Sequence, residues 1–156
     1  MTTVHALPCD YAGAHMRSRL EARWAKFFDR LGTPWKYELQ RYTMEGQHAY
    51  TPDFHLADLS LIVEVKPRLI VDVPSMNKYD AYGPELVRRE ECKMYVLCVG
   101  APTPNARYAA VWKHGFRAFR WEPLFGAAEV ECAARHANDL HPEADDEWRL
   151  RVALPA

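Results

Sequence analysis

The sequence predicts an α/β fold: a mixed sheet flanked by helices, in the order α-β-β-β-α-β, followed by a hairpin and a helix. Three observations carry this expectation. "GAHMRSRLEARWAKFFDRLG" has its apolar residues at helical spacing. "YTPDFHLADLSLIVEVKP" reads as two short strands around a tight turn. "MYVLCVG" is a nearly continuous apolar run, the pattern of a strand covered on both faces. With 156 residues, 49% of them hydrophobic, the chain suits one domain, 1–156, with its own core. The core spans about 14–100 and the hairpin and last helix 101–140. The Pro, Asp and Glu of 141–156 mark a loosely attached tail.

The first helix is expected from about Ala14 to Leu31, ended by Gly32 and Pro34. Leu20, Trp24, Phe27, Phe28 and Leu31 form its apolar stripe. Arg19, Arg23, Lys26 and Arg30 fall on an outer flank. Glu21 falls on the other edge of the stripe, one turn after Arg17. Strands are expected over Trp35–Thr43, Ala49–Leu56 and "LIVEVK", joined by turns at "EGQH" and "ADLS" into an antiparallel meander. Val71 to Val73 reads as a short extended piece. Pro84 reads as the opening of a second helix that runs to about Cys92. A hairpin turning at His114-Gly115 and a helix over "GAAEVECAARHANDL" complete the chain.

Composition narrows the function classes. No apolar run approaches the roughly 18 residues of a membrane span. "MTTVHALPCD" has no basic and apolar leader pattern, so a cytoplasmic protein is expected. Cys9, Cys92, Cys98 and Cys132 are scattered without CxxC or Cys-x-His spacing, against both a zinc site and a disulfide framework. Cys98, in an apolar run, reads as a small buried hydrophobe. A net charge of −1 neither demands nor excludes nucleic acid, because an enzyme that touches few phosphates needs only a local basic patch.

Two carboxylates and a lysine interrupt the strands of the second stretch. Closing that hairpin over Ala57–Ser60 pairs Leu56 with Leu61, His55 with Ile62, Phe54 with Val63 and Asp53 with Glu64. Pro52, Phe54, Leu56, Leu61, Val63 and Val65 then share an apolar face. Thr51, Asp53, His55, Ile62, Glu64 and Lys66 share the other. Cross-strand partners have Cβ atoms about 4.5–5.5 Å apart, where like charges are destabilising. A divalent cation resolves that conflict, and hard oxygens at this spacing suit Mg²⁺. Lys66, one pleat from Glu64, is placed to hold a phosphate or a water, or merely to neutralise Glu64. Glu21, beside the stripe that packs on this sheet, is a candidate third acid.

Pro52-Asp53, ten residues, then Glu64-Val65-Lys66, with Glu21 on a preceding helix, resembles the signature of the PD-(D/E)xK nuclease superfamily. The element order over about Ala14–Gly100, a little over half of the chain, is similar to the restriction-endonuclease-like core of that superfamily. "RSRLEARWAKFFDRLG", "WKYE" and "YTPDF" look like small nucleases of bacteria and their phages. The resemblance implies Mg²⁺-dependent hydrolysis of DNA phosphodiesters, with Mn²⁺ able to substitute, leaving a 5′-phosphate. Asp53, Glu64 and the Val65 carbonyl would bind the ion, with Glu21 completing its surroundings directly or through water. Lys66 would orient or help deprotonate the attacking water.

Further candidates are weaker. Glu38 and Gln40 are placed to support Asp53 if the first two strands turn at Gly46-Gln47, and Arg17 to contact DNA or Glu21. His55 shares the Asp53 face, as a phosphate contact or a hydrogen-bonded edge histidine. Arg88 and Arg89 suit a backbone phosphate or a solvated helix face. Trp112, Phe116, Phe119 and Trp121 suit base stacking or, more simply, the core. No helix-turn-helix or zinc-finger signature accompanies them. The expected function is a metal-dependent DNA endonuclease. The alternatives are a junction-resolving nickase, a non-cutting binding module on the same fold, and a subunit of a larger nucleic-acid-processing complex. A homodimer is expected for cutting both strands, since one such site cuts one strand.

Overall fold

Among the described residues, ten strands and four α-helices succeed one another as β1 (Cys9–Tyr11), β2 (Ala14–Met16), α1 (Arg19–Arg30), β3 (Lys36–Tyr37), β4 (Tyr42–Thr43), β5 (Ala49–Tyr50), β6 (Phe54–Leu56), β7 (Leu61–Lys66), α2 (Val73–Arg88), β8 (Met94–Val99), β9 (Tyr108–Trp112), β10 (Gly115–Phe119), α3 (Glu122–Phe125) and α4 (Ala127–Asn138). The structure is a computed structural model and describes residues 6–67, 73–104, 108–112 and 115–140, with backbone alone at 73–77. The expected tail from His141 and the residues Val71 and Lys113-His114 lie outside the described residues.

The centre is a mixed six-stranded sheet in the order β10-β9-β8-β7-β6-β3. β7 and β8 run parallel, joined by the α2 crossover, and the other described pairs are antiparallel. The α/β class and the mixed sheet match the expectation. The β6–β7 register is also the expected one, with Phe54 opposite Val63, His55 opposite Ile62 and Leu56 opposite Leu61.

Each sheet face carries its own core. On one, α1 with Trp24, Phe27 and Phe28, α4 and the Trp121 side chain ahead of α3 cover Phe54, Leu56, Val63, Val65, Val96 and Cys98. Burying aromatic side chains of this size supplies most of the drive on this side. On the other face, α2 and the β4–β5 ribbon cover Ile62, Tyr95, Leu97 and Val111 with Tyr42, Tyr50, Tyr79 and Leu86. The polar sheet face expected around Asp53 and Glu64 is therefore a second core with carboxylates inside it.

Several expected boundaries move, each for a local reason. α1 begins at Arg19, because the Ser18 side chain caps it by accepting the Glu21 N–H at 3.1 Å. Residues 14–16 instead pair with β1 across a tight turn in which Ala12 and Gly13 both have positive φ. Arg23 is buried rather than on an outer flank, and its Nε donates to the Leu140 carbonyl at 2.9 Å. The expected strand 35–43 breaks at Glu38, whose φ is +45°. β3 pairs with β6, whereas β4 leaves the sheet to pair with β5. The expected strand 49–56 breaks at Pro52, which has no N–H to give a ladder.

α2 starts at Val73, not Pro84, so Val73 is helical rather than extended; it ends at Arg88, short of Cys92. Tyr79, Gly83 and Leu86 form one stripe that lies on the sheet, and this packing outweighs Pro84 as a helix breaker. Gly83 is needed there: a Cβ would meet the buried Tyr95 ring at 2.7 Å and Val111 at 3.1 Å. The expected hairpin forms, but Gly115 pairs with Trp112 and so opens β10 instead of lying in the turn. Of its four aromatic candidates Phe119 and Trp121 are core, while Trp112 and Phe116 are exposed.

Gly83→Ala gains about 1 kcal/mol in helix propensity against about 1–3 kcal/mol for overpacking. Because the Tyr95 ring is enclosed, a net loss of stability is expected, read as a lower urea midpoint. An unchanged midpoint contradicts the close approach.

Candidate functional site

The ladder between β6 and β7 ends at Phe54 and Val63, one step before Asp53 and Glu64. Beyond it the Asp53 side chain takes over the role of a strand partner. Its Oδ2 accepts the Val65 N–H at 2.7 Å. N–H and C=O of one strand residue leave on the same edge, so the Val65 carbonyl also faces the Asp53 side. The Asp53 backbone carbonyl accepts the Glu38 N–H at 2.9 Å, which anchors the strained turn after β3.

Glu64 sits on β7 among tyrosines. The Lys66 ammonium lies 2.5 Å from its Oε1. The Tyr50 hydroxyl donates to its Oε2 at 2.6 Å. The Tyr95 hydroxyl is 2.9 Å from that of Tyr50, and Lys66 lies over the Tyr79 ring. Both oxygens of this buried acid have partners, as a buried charge requires.

Asp53 is less well served. Its side chain is 2% exposed, and the Arg17 guanidinium stays 3.7 Å from Oδ1 while pairing with Glu38 at 2.5 Å. Burial, then the charges of Glu64 and Glu21, push the Asp53 pKa well above its ordinary value, against the opposing Lys66 charge and the Val65 hydrogen bond. For Lys66, burial favours loss of the proton, but Glu64 and Asp53 outweigh it and hold the pKa above the usual lysine value. Burial, then Glu64, pushes Tyr79 up to about 12. In this state Lys66 is an ammonium and Tyr79 a neutral donor.

The remaining candidates separate by position. Glu21 is close enough to raise the Asp53 pKa, but its Oε2 accepts from Tyr37 at 2.5 Å and from the Arg17 N–H at 3.2 Å. Glu38 holds Arg17, whereas Gln40 is exposed between β3 and β4. The His55 ring stacks on Tyr42 and shares a 3.0 Å hydrogen bond with its hydroxyl, and burial lowers its pKa. The histidine is hydrogen-bonded as expected, but it is not at an edge, because β6 lies between β7 and β3. Arg88 pairs with Glu45 at 3.1 Å, and Arg89 donates to the Thr43 carbonyl at 2.9 Å, so both clamp α2 to the β4–β5 region. Sequence reasoning missed Tyr37, Tyr50, Tyr79 and Tyr95. The one legible signal was the clustering of tyrosines on segments that flank the acids.

Among the described residues, no group of three or more His, Cys, Asp and Glu side chains is arranged to hold a metal ion. An ion here would draw on the two carboxylates Asp53 and Glu64, the Val65 carbonyl and water. That donor set fits Mg²⁺, which takes one or two carboxylates and keeps several waters. An under-compensated buried acid is also a reason for a cation to bind. No protein-family model matches the chain, and no curated protein matches it. No described helix is long and apolar enough to cross a membrane.

The raised Asp53 pKa gives a signed pH dependence. Its contribution to stability is full below the unfolded value of 3.8 and is lost as pH rises through the folded pKa. Thermal unfolding in EDTA is expected to show wild type losing stability relative to Asp53→Asn as pH rises. A difference independent of pH contradicts this. Tyr50→Phe is expected to cost about 1–3 kcal/mol in urea unfolding, because Glu64 and Tyr95 both lose a buried partner.

Proposed function

We propose that the chain is a Mg²⁺-dependent DNA endonuclease of the PD-(D/E)xK type, hydrolysing phosphodiester bonds. The observation that carries the reading is the contact between Asp53 Oδ2 and the Val65 N–H. It sets one carboxylate and one strand carbonyl beside Glu64, with Lys66 on the same acid. The order of α1, β6, β7, the α2 crossover and parallel β8 supports a restriction-endonuclease-like core. Joining the Asp53 and Glu64 strands directly, as the motif requires, further supports it.

Asp53, Glu64 and the Val65 carbonyl would hold the ion, with Glu21 acting on Asp53 through its charge. When bound, Mg²⁺ supplies Lewis-acid polarisation of the phosphate and lowers the pKa of water. Tyr50 fixes the Glu64 carboxylate so that its orientation need not be found during reaction. Lys66 donates rather than accepts: its raised pKa supports orienting a water or steadying charge on the phosphate over removing a proton. Water adds to phosphorus and the 3′ oxygen leaves, giving a 5′-phosphate and a 3′-hydroxyl. Branched DNA is the alternative substrate to plain duplex.

Supercoiled plasmid and a four-way junction are expected to be cut with Mg²⁺ and left intact with EDTA. Asp53→Ala and Lys66→Ala are each expected to lower the rate by about 10²–10³-fold. Cutting that persists in both variants contradicts the assignment. Failure of the folded wild type to cut either substrate contradicts enzymatic activity and favours a binding module.

A further inference from the structure

Among the described residues, two cations flank the acid pair, and they are held differently. Lys66 grips Glu64 at 2.5 Å and its side chain is 26% exposed. Arg17 is 63% exposed and stands 3.7 Å from the nearest Asp53 oxygen, beyond a hydrogen bond. A guanidinium kept as a structural partner of a buried acid would be buried with it and would use its fork of donors on the carboxylate. Instead it is held by Glu38, whose own side chain is 31% exposed, and by the Tyr37 hydroxyl.

The backbone beneath Arg17 is fixed. Its N–H faces Glu21 Oε2 at 3.2 Å and Tyr37 Oη at 3.1 Å, and Ser18 next to it caps α1. Glu38 is anchored by its N–H to the Asp53 carbonyl, at a backbone angle that side chains rarely adopt. The guanidinium can therefore leave Asp53 by side-chain rotation alone. It is an exposed, planar donor set at the edge of a site whose acids are buried, which is the chemistry that recognises a phosphodiester oxygen.

We propose that Arg17 is an exchangeable counter-ion. It leans on Asp53 while that acid lacks a cation, and takes a backbone phosphate of the nucleic acid once a divalent ion holds Asp53. The inference rests on the nuclease reading and adds a regulatory property: ion and nucleic acid reinforce each other's binding, because each releases Arg17 toward the other's needs. Reciprocity follows from linkage.

The test is isothermal titration of Mg²⁺ into the full chain, alone and with a four-way junction made with phosphorothioate linkages, which offers duplex arms and a branch in one probe. In wild type the junction is expected to tighten Mg²⁺ binding about fivefold or more. Arg17→Met is expected to bind Mg²⁺ alone more tightly than wild type and to lose that coupling. Its slope of log K against log salt for the junction is expected to fall by about 0.9, the value of one phosphate contact. Arg17→Lys, which keeps the charge, is expected to retain the slope. Wild-type coupling and slope in Arg17→Met overturn the inference, as does a wild type that cuts the unmodified junction yet shows no coupling; in both cases the nuclease reading stands. A wild type that neither cuts nor binds the junction overturns both.

Discussion

The site depends on a side chain standing in for a strand. β6 is short because Pro52 cannot donate to a ladder, and β7 continues past it. The Val65 N–H thus needs an acceptor, and Asp53 Oδ2 provides one. A hydrogen bond to a charged group contributes about 1.5–3 kcal/mol. Taking a carboxylate out of water costs several kcal/mol. One such bond cannot offset that cost, and the neighbouring Glu64 and Glu21 charges increase it. The geometry that satisfies the Val65 N–H therefore leaves a buried acid whose charge is poorly compensated, so that it holds a proton more readily than an ordinary carboxyl.

Glu64, only two strand positions from Lys66, shows the contrast. Lys66 and Tyr50 occupy both its oxygens, and Tyr95 continues the network into the second core. That network requires α2 and the β4–β5 ribbon to press closely on the sheet, which Gly83 permits. Fold and site are coupled here: what seals the second core also orients the better-served acid. The poorly served acid lies at the strand end, where Arg17 reaches it from solvent.

Much of this was legible in the sequence, for physical reasons. β7 and β8 are unbroken apolar runs, and the alternation around Asp53 and Glu64 fixed the β6–β7 register to the residue. α4 and the β9–β10 hairpin followed from period and turn chemistry. What escaped depended on contacts between distant segments. Pro84 looks like a helix start until Tyr79, Gly83 and Leu86 are seen to share a sheet-facing stripe. Ala12-Gly13 is a weak turn signal beside Asn-Gly, so β1 went unread and β2 was taken into the helix. The acids were legible as a pair from their spacing. The tyrosines that serve Glu64 come from β5, α2 and β8, and beyond their clustering on segments that flank the acids no local pattern links them.

The most direct test of the central claim is anomalous scattering from crystals soaked in Mn²⁺, collected at the manganese edge. The account predicts a peak within coordination distance, about 2.0–2.3 Å, of oxygens from both Asp53 and Glu64 and of the Val65 carbonyl. An ion that binds elsewhere, or an Asp53 that takes no ion at saturating Mn²⁺, would contradict it.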